Sequence, residues 1–320
     1  MRLLALLALL SATGCASTLS SMQTAKPLAR GQFQASGGAG LFIPAGQLVT
    51  VVDQGIAQGR AIQDALESGQ PYRLTEEEAQ ELLTAGVALA VAPPGVNNEL
   101  MLRAGLLEGN ELDLGLRLST ASFRGDLKLR LAHGGDPDDS PLPEHKRKSF
   151  DLALGVGVSR HFFKGPALEV LGVVQLDDFS RWDVEVPLHA SADFGDILTL
   201  YAVPKYVYAR TSLDERLVDA VSFGADVTGL ELRLPARADS HFAGATAGLA
   251  IGYKFVHLYA ELTAGYTWCR PELFGQVREL GGVTLYPAVG LALKTPEPRS
   301  RSAPPAAPPV GGEEPAPVGP

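Results

Sequence analysis

The chain is poor in cysteine, with only Cys15 and Cys269 in 320 residues. A small secreted fold held by disulfides uses cysteine in pairs and in number, so a disulfide framework is not expected. Cys/His clusters with zinc-ligand spacing are missing. So are a Walker loop, a dinucleotide fingerprint and a metalloprotease helix, and no metal or cofactor is expected. Basic charge is also short: 27 Lys and Arg stand against 36 Asp and Glu, giving a net charge of -9. That balance argues against a nucleic-acid partner, which needs a basic face. After the first ten residues no apolar run approaches the roughly 20 residues of a spanning helix. A hydrophobic content of 46% does not separate a soluble fold from a membrane barrel, because an apolar exterior and a polar lumen average out.

What the chain does have is two-residue alternation. In 111–119, Leu112, Leu114, Leu116 and Leu118 alternate with Glu111, Asp113, Gly115, Arg117 and Ser119. Successive strand side chains point to opposite faces, so one face is a leucine stripe and the other is polar. The run before it sets Leu100, Leu102, Ala104 and Leu106 against Glu99, Met101, Arg103 and Gly105. The run after it sets Phe123, Leu127, Leu129 and Leu131 against Arg124, Asp126, Lys128 and Arg130. The contrast returns at 150–159, 182–194, 256–268 and 283–293. Strand-like runs fall at 31–42, 86–92, 99–106, 111–119, 123–131, 150–159, 167–175, 182–194, 198–210, 242–253, 256–268 and 283–293. Most are near the roughly 9–11 residues that a tilted strand needs to cross a membrane. The expected fold is therefore all-β, an antiparallel up-and-down β-barrel of roughly 12 strands over 31–294.

Loop lengths support this. With an even strand count and both termini on one side, the connections at 132–149, 211–241 and 269–282 and a helical excursion at 49–84 fall on the outer side. The turns at 120–122, near Gly165, near Gly195 and at 254–255 fall on the inner side, the division expected of membrane barrels. Within the excursion, Val52, Ile56, Ile62 and Leu66 suit a helix face loosely. Thr75 and Glu78 form a capping box for a second helix ending near Thr84. The excursion is expected to be a cap outside the barrel, a plug inside it, or a surface-lying helical pair with no role in gating. Pro187, Pro204 and Pro287 should each force a bulge or a break. The run Gly37-Gly38-Ala39-Gly40 should allow close packing or a kink.

The first residues are Met1-Arg2, an apolar run over 3–10, and Ser11-Ala12-Thr13-Gly14-Cys15, the form of a secretory signal. The ending Ala12-Thr13-Gly14-Cys15 resembles the lipobox of bacterial lipoproteins. That resemblance implies a signal peptide over 1–14, lipidation of Cys15 and, because Ala16 follows, a lipid-anchored protein of the outer membrane. Residues 15–30 are Ser/Thr/Ala-rich and read as a tether, and the Pro-rich 295–320 as a disordered tail. Strands such as Asn110-Glu111-Leu112-Asp113-Leu114-Gly115 resemble those of uncharacterised outer-membrane β-barrels, which implies outer-membrane lipids as surroundings. Such proteins usually end on an aromatic residue, and this chain does not.

The polar face supplies the candidate lumen-lining residues Asp113, Arg117, Arg124, Asp126, Lys128, Arg130, Asp183, Glu185, His189 and Glu261. A charged lumen could select a small solute by sign and size. Alternatively, opposite charges on adjacent strands pair and fill a closed barrel. Asp183, Glu185, His189 and Ser191 share one strand face, yet residues two apart lie roughly 7 Å apart along a strand and rarely make catalytic geometry. No catalytic residue is assigned. The expected function is a non-enzymatic pore or envelope scaffold, with an envelope protein or, for a pore, a small solute as partner. The alternative is a lipid-anchored soluble periplasmic β domain that binds an apolar ligand or an envelope protein. The direction of the leucine faces, outward or inward, separates the two.

Overall fold

The computed structural model describes residues 18–69, 80, 84, 94–119, 122–136, 143, 146–162, 180–195, 197–212, 237–253, 255–273 and 276–297. Ten strands form one closed antiparallel barrel. They are β1 (Phe33–Phe42), β2 (Gly95–Gly105), β3 (Leu112–Ser119), β4 (Ser122–Gly135), β5 (Lys148–Phe162), β6 (Ser180–Phe194), β7 (Leu198–Ser212), β8 (Arg237–Tyr253) and β9 (Val256–Cys269). A two-residue hairpin, β10 (Glu272–Leu273) with β11 (Gln276–Val277), precedes the last barrel strand, β12 (Leu280–Lys294). Each barrel strand pairs with its neighbour in sequence, and β12 closes on β1 from Gln34 opposite Lys294 to Gly40 opposite Ala288. Closure leaves no row of unpaired backbone groups.

Ten strands replace the expected twelve. The two surplus runs, 86–92 and 167–175, lie outside the described residues, and the barrel closes without them: β1 pairs directly with β2, and β5 with β6. Each surplus strand reverses the side assigned to everything after it, so the loops between them change ends. The 136–147 connection lies at the end where β1 begins, and 120–121 and 163–179 lie at the other end, all three contrary to expectation. The connections at 43–94, 213–236 and 270–279 keep the expected side, as do the short turns at 195–197 and 254–255. We call the end at which α1 follows β1 the helix end and the other the turn end, although 136–147 also lies at the latter.

The alternation sets the two faces. Leu100, Leu102, Leu114, Leu116, Leu118, Leu127, Leu129, Leu154, Val156, Leu262, Leu291 and Leu293 are exposed on the outside. Asp113, Arg117, Arg124, Asp126, Lys128, Glu185 and Glu261 are buried inside. The leucine faces thus point outward. One bulge interrupts the registers, between Arg130 and Ala132 on β4.

The expected breaks at proline are milder than predicted, because the strands run through. A ladder lapses beside each proline: β5–β6 between Leu154–Leu188 and Gly157–Glu185 at Pro187, and β6–β7 between Pro187–Lys205 and Ala190–Ala202 at Pro204. The β1–β12 ladder lapses beyond Gly40–Ala288 at Pro287, while on their other sides Pro204 and Pro287 pair with Ala245 and Leu262. Of the helical excursion, α1 (Ala45–Ser68) starts at the helix end directly after β1 and stops at Gly69, whose left-handed backbone (φ 68°) turns its amide onto the carbonyls of Ala65 and Leu66. It begins four residues earlier than 49. Val49, Val52, Ile56, Ile62 and Leu66 are exposed, so α1 sits outside the lumen. The capping box at Thr75 and Glu78 lies outside the described residues, as do the signal at 1–14 and the tail beyond residue 297.

Inside the barrel, the Phe242 ring covers the facing pair Gly244 and Gly265, where any Cβ would collide with it. Gly265→Val should therefore overpack the lumen and lower stability by about 1–3 kcal/mol. Urea unfolding of the detergent-solubilised barrel checks this, with the exposed Ala264→Val as the control expected to be near neutral.

Candidate functional site: a lumen filled by the N-terminal arm

A barrel of eight strands is about filled by its own side chains, and barrels of 16–18 strands leave an aqueous channel. Ten strands leave room for one more segment, and the chain supplies it. Residues 18–29, read from sequence as part of a tether, run through the lumen, buried at every position except Lys26. Residues 18–29 of the stretch read as a tether are therefore packed inside the barrel. The arm leaves at the turn end and reverses there into β1. Gln32 N donates to Ala29 O at 2.9 Å, and Gly31 takes a left-handed φ of 79°. Gly105 N bonds Gln32 O at 3.0 Å, and a Cβ at Gly105 would collide with the carbonyls of Leu28 and Ala29.

The wall grips the arm by its main chain. Arg117 donates to Ser20 O at 2.7 Å and to Ser21 O at 3.1 Å. Lys128 donates to Thr24 O at 2.8 Å, and Thr263 to Leu19 O at 3.1 Å, a carbonyl that Lys205 also reaches. Carboxylates and a hydroxyl take the amides. Ser21 N and Met22 N donate to Glu261 at 2.8 and 3.0 Å, Leu28 N to Asp113 at 3.0 Å, and Ala25 N to Ser191 Oγ at 3.1 Å. Two consecutive amides thus converge on one carboxylate, and Met22 itself adopts a positive φ of 43°. Its side chain lies where Cβ atoms on Gly38 or Gly290 would collide with it. The glycine-rich run on β1 does allow close packing, here of the arm against the wall.

Around the arm the wall charges pair with one another. Arg103 and Lys128 both face Asp113, Lys128 at 3.5 Å. Arg117 meets Glu99 at 3.2 Å, which also accepts from Thr18 at 2.8 Å and from Ser20. Arg124 joins Asp126 at 2.5 Å to Glu185. Nearer the helix end, Asp183 accepts from Arg181 at 2.8 Å and pairs with His161 at 2.7 Å. The opposite wall is less polar: Leu19 and Met22 of the arm belong to one cluster with Phe42, Val207, Phe242, Tyr286 and Ala288.

All ten candidate lumen residues face inward. Nine are buried, and Arg130 lies part-exposed at the turn end, 3.8 Å from Asp151. His189 and Ser191 share the inner face as predicted, but Ser191 is engaged with the arm, and neither His189 ring nitrogen has a hydrogen-bond partner. The candidate set omitted Glu99, Arg103, His161, Arg181 and Lys205. Glu99 and Arg103 were marked by alternation, since they stand opposite Leu100 and Leu102. Some space remains at the turn end, a cavity of about 170 Å³ bounded by Thr24, Lys26 and Leu28 of the arm and by Asp193, Tyr259 and Lys294 of the wall.

The molecule is thus a closed β-barrel with an apolar exterior, a charged interior and a lumen occupied by its own chain. The chain matches no protein-family model and no curated protein sequence. Among solved structures, similarity is found to Ail, the attachment invasion locus protein of Yersinia pestis, at 11% identity and a TM-score of 0.29, covering 83% of this chain and 99% of that one. It is found also to the outer membrane phospholipase A from Escherichia coli, at 13% identity and a TM-score of 0.27, covering 83% of this chain and 97% of that one.

Arg117 holds the arm and the wall together with both of its terminal nitrogens. Arg117→Ala leaves Glu99 buried without its cation, while Asp126 keeps Arg124, and should cost about 3–5 kcal/mol. Arg130→Ala, at the part-exposed rim, should cost no more than about 1 kcal/mol. Chemical unfolding of both variants in the same detergent measures the difference.

Proposed function

We propose that this chain is a non-enzymatic β-barrel lipoprotein of the bacterial outer membrane, kept closed by its own arm and serving as an envelope scaffold. The observation that carries the reading is the outward apolar wall bounded by two rings of aromatics. Phe33, Phe150, Phe194, Tyr253 and Phe255 lie exposed at the turn end, and Phe123, Trp182, Tyr206 and Tyr266 are exposed toward the helix end. On β6, Trp182 and Phe194 stand twelve residues apart. At about 3.3 Å per residue and a tilt near 40°, that is about 30 Å along the barrel axis. An apolar band of about 25 Å fits between such girdles. A soluble domain with an apolar cavity would need its leucines inside, and they are outside.

The scaffold reading is favoured over an open pore by the filled lumen and by the balance of its charge. Among the described buried residues, Glu99, Asp113, Asp126, Asp151, Asp183, Glu185 and Glu261 face Arg103, Arg117, Arg124, Lys128, Arg181 and Lys205. A lumen that selects ions carries one sign in excess. In the membrane the turn end, with three short connections and the longer 136–147, faces the periplasm and the helix end, with 43–94, 163–179 and 213–236, faces outward.

The lipid is placed on Cys15, which stands three residues before Thr18. Three residues reach at most about 10 Å. Thr18 sits beside Glu99 and Tyr286, four and six residues inside the ends of β2 and β12 at the helix end. An acyl chain that reaches the bilayer therefore draws the first residues of the arm out of the lumen.

The test is a carbonate wash of membranes carrying the Cys15→Ser protein behind a plain cleavable signal. Retention is expected, and release to the soluble fraction would overturn the barrel's insertion in favour of a soluble periplasmic domain. Leu154→Arg, near the middle of the outer wall, should lower folded-state stability in bilayers by about 2–4 kcal/mol. Mass spectrometry of the N-terminal peptide of the wild-type chain should show diacylated Cys15, and an unmodified peptide would remove the lipid from the reading.

A further inference from the structure

We propose that the lumen is a binding site for a single polypeptide segment, occupied in this structure by the chain's own residues 18–29 and open to a segment of another polypeptide when the arm withdraws. What the wall recognises is main chain. The carbonyls of Leu19, Ser20, Ser21 and Thr24 and the amides of Ser21, Met22, Ala25 and Leu28 are all bound by wall side chains. Arm side chains bound by the wall include Thr18 and Ser20, which donate to Glu99. Every polypeptide offers the backbone groups, so the site places few demands on sequence.

The chemistry of the wall suits this ligand and few others. Its buried acids and bases are nearly equal in number, so the lumen has little net charge with which to hold an ion. What it retains is hydrogen-bonding capacity of both kinds at fixed positions. A polypeptide backbone is neutral and presents donors and acceptors along its length, which matches that capacity. Size limits come from the glycines. Gly105 admits only bare backbone beside it, and Gly38 with Gly290 forms a slot that an unbranched side chain such as Met22 fills. The ligand class is therefore a single polypeptide segment that passes Gly105 by its main chain and carries a flexible apolar residue at the position of Met22. The groups that hold the segment stand on barrel strands rather than on a loop.

The test uses a full-length protein carrying a specific protease site after Arg30, folded first and then cleaved, so that the arm is held without a covalent link. A fluorescent synthetic peptide with the sequence of residues 18–30 is added, and its anisotropy is followed in detergent. Exchange into the barrel with saturable binding is expected. The same peptide N-methylated at Met22 and Leu28, which removes the donors to Glu261 and Asp113, should bind at least about 10-fold more weakly for each lost amide. A peptide with Gln23→Ala should bind within a few-fold of the parent. Equal binding of the N-methylated peptide would overturn main-chain recognition. A cleaved arm that never exchanges, or that leaves without the added peptide taking its place, would overturn the site.

A protein lacking residues 18–30 behind its signal provides a second measurement where it folds. It should bind the peptide directly and show a conductance in planar bilayers that the peptide blocks. Absence of binding to this vacant barrel would equally overturn the proposal. These results are read in detergent as well as in bilayers, so failure of the membrane or lipid reading leaves them interpretable by themselves.

Discussion

The constraint on which the structure depends is that a closed barrel with a polar interior must satisfy its polar groups from within. A side chain such as Arg117, 2% exposed, cannot reach bulk water, and an unpaired buried charge costs several kcal/mol. Pairing across adjacent strands meets part of that demand, as Arg103 and Lys128 do with Asp113. Wall-to-wall pairs leave further lone pairs and protons pointing toward the axis, and a ten-stranded circumference is too wide for side chains from opposite walls to close on one another throughout. The arm resolves both problems. It fills volume, and its backbone supplies neutral partners where another charge would create a new imbalance.

The two halves of the lumen divide this work. Along β2 to β6 the inner face carries most of the ion pairs, and there the arm is held by charge-assisted bonds to its carbonyls and amides. Along β7 to β9, β12 and β1 the inner face offers Val207, Phe242, Tyr286 and Phe42, and there Leu19 and Met22 of the arm pack. The segment that threads this two-sided channel is not a regular strand, and it bends at Ala25 and Lys26. Its backbone is left-handed at Met22, and the same residue binds Glu261 through its amide and enters the glycine slot with its side chain. A left-handed non-glycine residue costs of order 1 kcal/mol. The two contacts made at that one residue offset it.

The fold was legible because alternation is a local signal that tertiary context rarely reverses when one face meets an apolar phase and the other a packed interior. Leu112 to Leu118 opposite Asp113 and Arg117 could be assigned to faces without knowing any partner strand. The strand count was less legible. The run 167–175 has apolar content and suitable length, but nothing in a single run says whether neighbouring strands leave a gap for it, and β5 pairs directly with β6. The arm was the least legible part. Its Ser, Thr and Ala residues are those of a flexible linker, because a segment bound through its backbone needs no distinctive side chains. The signal that could have found it lies in the wall: Gly38, Gly105 and Gly290 all fall on the polar face, where a barrel filled by side chains alone would carry larger residues.

That placement of glycine also distinguishes an evolved fit from a chain end that merely falls into a hollow. A segment lying loosely in a polar channel would tolerate a methyl group on the wall almost anywhere. Here the three wall glycines touch two separate parts of the arm: Gly105 at its exit and Gly38 with Gly290 at Met22. They come from β1, β2 and β12, the strands on either side of the closing seam. The seam is where the chain's first strand meets its last, so the arm, continuous with β1, lies against the pairing that completes the barrel. Seating the arm and closing the barrel then draw on the same surfaces. The arm is, in physical terms, a structural member of the wall that happens to lie inside it.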